Sequence, residues 1–313
     1  MKVYVFDYSP SPGAIHHGAG YWIYKGYQEA WRELGYEVSG LSHENYYIDS
    51  IDGDYIIMVP DAYVGPGSSE IIEKSYKTFV YAQPNKFPDP WGQHPNFKCL
   101  CHADIIELLN EKNNVFLWSF SDIEDPSLFH KWKKVNTVPL AFDSVSYEPV
   151  KDEKYTKYDV CFIGGWANNG FNEKRKIMLE CFKEFKGSGL NCAFSVGKNI
   201  SHEQENAILC NSKVALNIHD AYQRVLGFDT NERTYKSLGL TGVLVSDEVR
   251  QLESMFPNVK TSNDPVKLIE HIKDYISLTE KELNDIKEEN RQNILDNHCY
   301  THRVEQLLRL END

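Results

Sequence analysis

Residues 231–242 read NERTYKSLGLTG, and VLVSD follows at once at 243–247. Asn231 is a residue type that caps helix starts and Gly242 one that stops helices, so the spacing predicts a short helix over 231–241. The apolar run behind it reads as a buried strand that ends in Asp247. A helix that only packs has no use for Asn231, Glu232, Arg233, Tyr235 and Lys236 crowded at its start. A helix whose start points at a ligand does, because its free amides and positive end attract negative charge.

The same alternation of apolar run and helical period extends outward to both termini. In the first half, KVYVFD (2–7), YEVSGL (36–41), DYIIMVP (54–60), KTFVYAQP (77–84) and NNVFLWSF (113–120) are strand candidates. YWIYKGYQEAWRELG (21–35) and HADIIELLNEK (102–112) lie between them as helices. Near residue 143 the texture changes: VPLAFDSVSYEPVKDEKYTKYD (138–159) holds two prolines and little periodicity, and reads as a connector. A second series follows, with strands at YDVCFIGG (158–165), LNCAFSVG (190–197), KVALNIH (213–219) and GVLVSD (242–247), and helices at 172–187 and 202–212. Beyond 248 the chain reads as helix almost to its end. Continuous apolar strands between helices indicate mainly parallel sheets covered on both faces. The expected fold class is therefore α/β, with two Rossmann-like domains, 1–145 and 146–313, facing a central cleft where the strand ends of open sheets bind ligands. The terminal helix, about 300–313, carries a stripe of Val304, Leu307, Leu308 and Leu310, and is expected to cross back onto the first domain.

Composition bounds the function. The 313 residues allow two domains at roughly 100–200 residues each. The formal net charge of −13 disfavours a bulk electrostatic grip on nucleic acid or an anionic membrane, although a ligand phosphate needs only one or two cations. No apolar run is long enough to span a bilayer, and the start is too short in apolar residues for a signal peptide, so a cytoplasmic protein is expected. Seven scattered cysteines without a secretion signal read as reduced thiols. CLCH (99–102) has no second Cys/His pair at finger-like spacing, so no bound metal is expected.

Three strand-end segments carry the chemistry. In SPSPGAIHHGAGYW (9–22), Gly18 and Gly20 allow close backbone approach at a helix start, and His16 and His17 can act as bases near neutral pH, though loop histidines are more often simply solvated. In CFIGGWANNG (161–170), Gly164 and Gly165 again allow close approach, while Trp166, Asn168 and Asn169 offer a stacking face and amides. LNIHDAYQRVLGFDTNER (216–233) ends a strand at Asn217 and His219 and brings Arg224, Asn231 and Arg233 onto the approach to the opening helix, where a diphosphate finds forked cations and backbone donors.

YDVCFIGGW, KVALNIHDAY, the whole of 231–256 and NHCYTHRVEQLL (297–308), in that order, resemble the CgeB-like branch of the group-1 glycosyltransferases, a two-domain GT-B family. VPLAFDSVSYEPV (138–150) resembles the family's interdomain stretch. The likeness covers the second half and the connector; in the first half only the strand–helix layout and the glycine loop fit. It implies a nucleotide-sugar donor held mainly by the second half, an acceptor held mainly by the first, and no cofactor beyond the donor itself. It also implies metal-independent chemistry, with cations and helix starts offsetting the diphosphate charge. Carried onto this chain, the resemblance puts Gly164 and Gly165 in the donor-side turn, His219 at the strand end, and Asn231 and Arg233 at the donor helix start. The family's ribose-binding Glu falls on Lys236, which donates where a carboxylate accepts. Glu232, one turn away, is the expected substitute, with Lys236 turned to the diphosphate or to solvent.

The implied activity is transfer of a hexosyl or pentosyl group to a hydroxyl of a glycan, a glycoconjugate or a modified nucleic-acid base. For an inverting enzyme the base comes from Asp7, His16, His17 or His102. A non-catalytic sugar-binding module and a DNA-base glycosyltransferase using Lys131, Lys133 and Lys134 are the competing readings.

Overall fold

The computed structural model describes residues 1–8, 18–41, 54–87, 89–93, 101–122, 126–165, 173–197 and 200–311. They divide into two compact units, one from the described residues before Leu140 together with those from Tyr300 onward, the other from the described residues of Leu140–Cys299.

The first unit is a six-stranded sheet. Its strands are β1 (Lys2–Phe6), β2 (Glu37–Leu41), β3 (Tyr55–Pro60), β4 (Lys77–Tyr81), β5 (Val115–Ser119) and β6 (Val135–Thr137), and its helices are α1 (Ala19–Glu33), α2 (Ser69–Lys74) and α3 (Ala103–Glu111). All pairings are parallel, in the order β2-β1-β3-β4-β5-β6. The strands read as continuous apolar runs because helices cover both faces: every residue of β3 and β5 is buried. The last helix, α11 (Tyr300–Leu308), packs on α1, where the Tyr300 ring lies 4.7 Å from that of Tyr27. Its Arg303 Nε donates to the Pro139 carbonyl at 3.0 Å and Gln306 Nε2 to that of Thr137 at 3.1 Å. Of the expected apolar stripe, Val304 and Leu307 are fully buried.

The second unit holds β7 (Val160–Gly164), β8 (Cys192–Val196), β9 (Val214–Asn217), β10 (Leu244–Ser246) and β11 (Lys260–Thr261), paired in parallel in the order β11-β10-β9-β7-β8. Its helices are α4 (Glu173–Gly187), α5 (His202–Asn211), α6 (Ala221–Leu226), α7 (Glu232–Leu240), α8 (Arg250–Met255), α9 (Pro265–Ile276) and α10 (Glu280–Asn297). The strand pleat sends alternate residues to opposite faces. Val160, Phe162, Val214, Leu216, Val243 and Val245 meet Met178, Phe185, Leu268 and Ile272 from α4 and α9 in one core. Each such side chain contributes on the order of 1.5–3 kcal/mol when fully buried. The stretch read as a connector is partly core as well: Phe142 is buried, its amide bonds the His298 carbonyl at 2.8 Å, and its ring takes the space a side chain at Gly239 would need.

Helix termini follow the sequence. Ser201 and Thr279 form capping boxes with Gln204 and Glu282, and Asp264 caps α9 ahead of Pro265. Gly242, the stop after the opening stretch, has φ +80°, and a Cβ there would stand 2.7 Å from the Lys287 backbone. Both the left-handed backbone and the close approach exclude a side chain. Gly242→Ala is expected to remove roughly 1–3 kcal/mol of stability. A urea midpoint equal to the parent's would show that α10 adjusts without cost.

Candidate functional site

In each sheet the strand order reverses between the first strand and the third, and open α/β sheets bind ligands outside the carboxyl ends of the strands at that point. In the second unit the reversal lies between β7 and β9. Arg233, in the first turn of α7, spans it. Its Nε donates to the Ile163 carbonyl at 2.7 Å, and its Nη1 donates to Asn217 Oδ1 at 2.8 Å and the Ile218 carbonyl at 3.3 Å. The guanidinium lies over the Phe162 ring at 4.8 Å. A Cβ at Gly164 would collide with the guanidinium, so this glycine makes room for Arg233. All its acceptors are uncharged, and no carboxylate among the described residues stands within ion-pair distance. Burial pulls its pKa below the usual arginine value, against the fields of Glu232, Asp220, Glu205 and Asp247.

A second cation joins it. Lys174, at the start of α4, is buried and pairs with Asp220 at 2.7 Å. Burial lowers its pKa first and the Arg233 charge lowers it further, with Asp220 restoring part. Lys174 was not among the residues singled out from sequence; the available signal was a lysine just inside a helix that follows a glycine turn.

Behind Arg233 runs a buried hydrogen-bond chain. Asn217 and Asn231 exchange reciprocal amide bonds at 3.0 and 3.1 Å, while Asn231 Oδ1 caps α7 at the Thr234 amide. Asn217 Nδ2 also reaches Thr234 Oγ1 at 3.0 Å, which is 2.6 Å from Thr230 Oγ1, itself 2.8 Å from His219 Nε2. His219 Nδ1 is 2.6 Å from Asp247 Oδ1. An ionised carboxylate only accepts, so Nδ1 carries the proton and Nε2 accepts from Thr230. Burial tends to raise the Asp247 pKa, but His219, Arg224 and the His219 amide hold it below the ordinary carboxylate value. His219 is fully buried with both ring nitrogens engaged, so it fixes the strand ends from behind.

The other expected donor residues separate. Arg224 turns to Asn263 Oδ1 at 3.0 Å, beyond β11, and so away from the β7/β9 reversal that Arg233 spans. Tyr235 is a core ring, fully buried, edge-on to Phe256 and bonded to Met255 Sδ. Gly165 follows β7 and is exposed. Glu232 sits at the first position of α7, 15% exposed. Lys236 takes neither of its expected directions: it is buried, 2.8 Å from Glu205 of α5, 3.4 Å from Glu232 and 3.4 Å from the Tyr147 hydroxyl. Burial alone lowers its pKa, but the two carboxylates raise it well above the usual lysine value.

In the first unit Gly18 caps α1 with open space around it, and Gly20 rests against the Tyr8 ring. Asp7 is exposed after β1, beside Gly40 of β2. His102 is exposed at the start of α3. His16, His17, Trp166, Asn168 and Asn169 lie outside the described residues.

Residues 154–309 match the family model described as glycosyl transferase-like. No curated protein sequence matches the chain. Among solved structures, the chain is similar to AviGT4, a glycosyltransferase of avilamycin A biosynthesis, at 13% identity and a TM-score of 0.60, over 99% of this chain and 97% of that one. It is similar to the T4 phage BGT bound to UDP-glucose at 13% identity and a TM-score of 0.56, over 99% and 100%. Another structure of that phage protein holds UDP and Mn2+. An alpha-glucosyltransferase bound to UDP and a 13-mer DNA aligns at 13% identity and a TM-score of 0.57, again over 99% and 100%. At these identities the likeness speaks for the fold. The fold is thus that of the GT-B glycosyltransferases, and the glycosyl transferase-like segment falls in the second half.

The Lys236–Glu205 pair yields the first test at this site. Removing one member of a buried pair leaves the other charged and unpartnered, at roughly 3–5 kcal/mol. Lys236→Met is expected to cost about that much, and Lys236→Met combined with Glu205→Leu to recover most of it, read from denaturant midpoints. Equal losses in the single and double variants would show that the pair is not what joins α5 to α7.

Proposed function

We propose that this protein moves a sugar from a nucleoside diphosphate sugar to a hydroxyl acceptor, with the donor diphosphate at Arg233, Lys174 and the start of α7. The observation that carries the reading is Arg233 itself: a part-buried guanidinium at the strand-order reversal, held by uncharged acceptors alone. Its positive charge is left for a ligand. When the bond from the anomeric carbon to the phosphate oxygen breaks, the electron pair stays on the diphosphate, and two fixed cations and the α7 amides stabilise that charge without reorganising. The CgeB-like branch is the proposed place within the fold, on the four ordered segments of the second half. Glu232, partly exposed and kept in place by Lys236, is the proposed carboxylate for donor hydroxyls. Asp7 and His102 are the described candidates for the acceptor's base.

Metal independence and a cytoplasmic setting, with no cofactor besides the donor, belong to the same proposal. The cation pair takes the part that a divalent ion has elsewhere, although one structural neighbour is recorded with Mn2+.

The experiment is a screen of nucleotide sugars for released nucleoside diphosphate, with binding followed by calorimetry. A charge-assisted contact contributes about 1.5–3 kcal/mol, so Lys174→Ala is expected to weaken binding roughly tenfold to a hundredfold. Lys174→Ala breaks the pair with Asp220, so its melting temperature is read beside its affinity. Arg233→Ala also strips three bonds from the strand ends and is expected to lower the melting temperature. EDTA is expected to leave turnover unchanged. Undiminished binding in Lys174→Ala would remove this residue from the site, and activity restored to an EDTA-treated enzyme only by Mn2+ would overturn metal independence.

A further inference from the structure

The reversal point of the first unit is built from different material. It lies between β1 and β3, and aromatic rings stand at the carboxyl ends of successive strands. Phe6 and Tyr8 close β1, Tyr63 follows β3, Tyr81 ends β4 and Phe120 follows β5. The rings touch in two groups. Phe6 lies 4.2 Å from Tyr63 and 5.1 Å from Tyr8, and Tyr81 lies 4.5 Å from Phe120. Phe6 is spent on packing, but Tyr8 is 37% exposed, and Tyr63, Tyr81 and Phe120 are half-buried.

Two polar groups lie among them. Asp61, directly after β3, is fully buried and accepts from the Gln83 amide at 2.8 Å, which ties the ends of β3 and β4 together. The Tyr24 hydroxyl, on α1, is buried and meets no hydrogen-bond partner among the described residues. An orphan of this kind costs roughly 1–3 kcal/mol until something bonds it.

The charge of this edge narrows the ligand. The described residues just beyond β1, β3, β4 and β5, namely 7–8, 61–65, 82–85 and 120–122, contain Asp7, Asp61 and Asp122 and no lysine or arginine. Lys86 follows at once, and Lys25 and Arg32 of α1 line a hollow with Asp7, Tyr8 and Tyr24, but the described residues directly at these strand ends offer an anion no pair of cations like Arg233 and Lys174. Of the basic strip that kept a DNA acceptor in play, Lys131 sits beside Asn85, its amide donating to Asn85 Oδ1 at 3.1 Å, while the other two lie elsewhere. Lys133 and Lys134 line a hollow with Lys112, the last turn of α3 and Val115 at the start of β5, at the amino end of the sheet.

We propose that the acceptor is an uncharged saccharide, its C–H face laid on the half-buried rings of Tyr63, Tyr81 and Phe120 and its hydroxyls turned to the tyrosine hydroxyls. A sugar ring has an apolar face bounded by donors and acceptors. It matches a shelf of amphipathic rings better than a phosphate-bearing chain does. This proposal rests on the donor reading above, and the experiment separates the two.

The full-length protein is titrated with cellobiose, maltose and N-acetylglucosamine, with glucose 6-phosphate, and with a duplex carrying hydroxymethylated bases. Binding is read by saturation-transfer NMR, and UDP binding by calorimetry serves as control. At least one neutral saccharide is expected to bind, with the strongest transfer to its ring C–H protons. Tyr63→Ala and Phe120→Ala are expected to weaken it roughly two- to tenfold while UDP affinity stays the same. Tyr63→Phe, which keeps the ring, is expected to retain most of the binding, and a melting curve and near-UV circular dichroism like the parent's show that the first unit of each variant still folds. The proposal is overturned by UDP binding without any neutral saccharide, by glucose 6-phosphate or the duplex binding in preference, or by ring variants that bind saccharide as the parent does. Failure of all nucleotide binding strikes the donor reading instead.

Discussion

The second unit depends on one forked cation. The Arg233 guanidinium reaches Ile163 and Ile218 on the two strands that flank the reversal point, and Asn217 between them. Those strands separate there because successive connections leave toward opposite faces, and their terminal carbonyls lack neighbours in the sheet. A buried carbonyl without a partner is costly, and a planar group with five donors satisfies several at once. Lysine, with a single point charge, cannot span the gap in the same way. The constraint spreads backward: Gly164 must lack a side chain, Asn217 must be an amide, and α7 must begin where Asn231 can cap it and return a bond to Asn217.

Arg233 and Lys236 show how one turn of helix separates two electrostatic fates. Lys236 is buried and Arg233 part-buried near the start of α7. Lys236 faces two carboxylates and is neutralised within the protein, so its charge locks α5 to α7. Arg233 faces carbonyls and an amide oxygen, so its charge remains uncompensated. A fold has no stability reason to keep a desolvated charge unpaired. On the proposed donor reading, that asymmetry separates a packing role from a ligand-facing one within the polar head of 231–242.

Much of this was legible in the sequence. The long apolar runs and capped helices stand where periodicity put them, because strands covered on both faces and helices with a cap leave local signatures. β6 and β11 were invisible for the opposite reason: three and two residues carry no period, and only pairing with β5 and β10 makes them strands. The place of Arg233 in the first turn of a helix was legible, since a helix start after a strand-end loop is a local pattern. The direction of Lys236 was not, because it is set by Glu205, distant in sequence on a helix of its own, and no local rule pairs the two. Lys174 was overlooked although its position after a glycine turn was on view.

The two units share a strand order and differ in what stands at its reversal point. Topology alone therefore assigns neither role; it supplies an edge where strand ends diverge, and side chains decide what the edge attracts. In the second unit the edge carries cations among amides, which suits an anion whose charge grows as a bond breaks. In the first, the described residues directly at the strand ends are rings and acids, with the nearest cations on α1 and at Lys86. Chemistry of this kind sorts a donor from an acceptor before any closure of the protein is invoked: a diphosphate has one favourable edge and one without such a pair of cations. An uncharged polyol is not drawn to an isolated guanidinium strongly enough to compete with water for it. On the proposed reading, selectivity between the substrates comes from the side chains at the reversal points of two sheets of similar strand order.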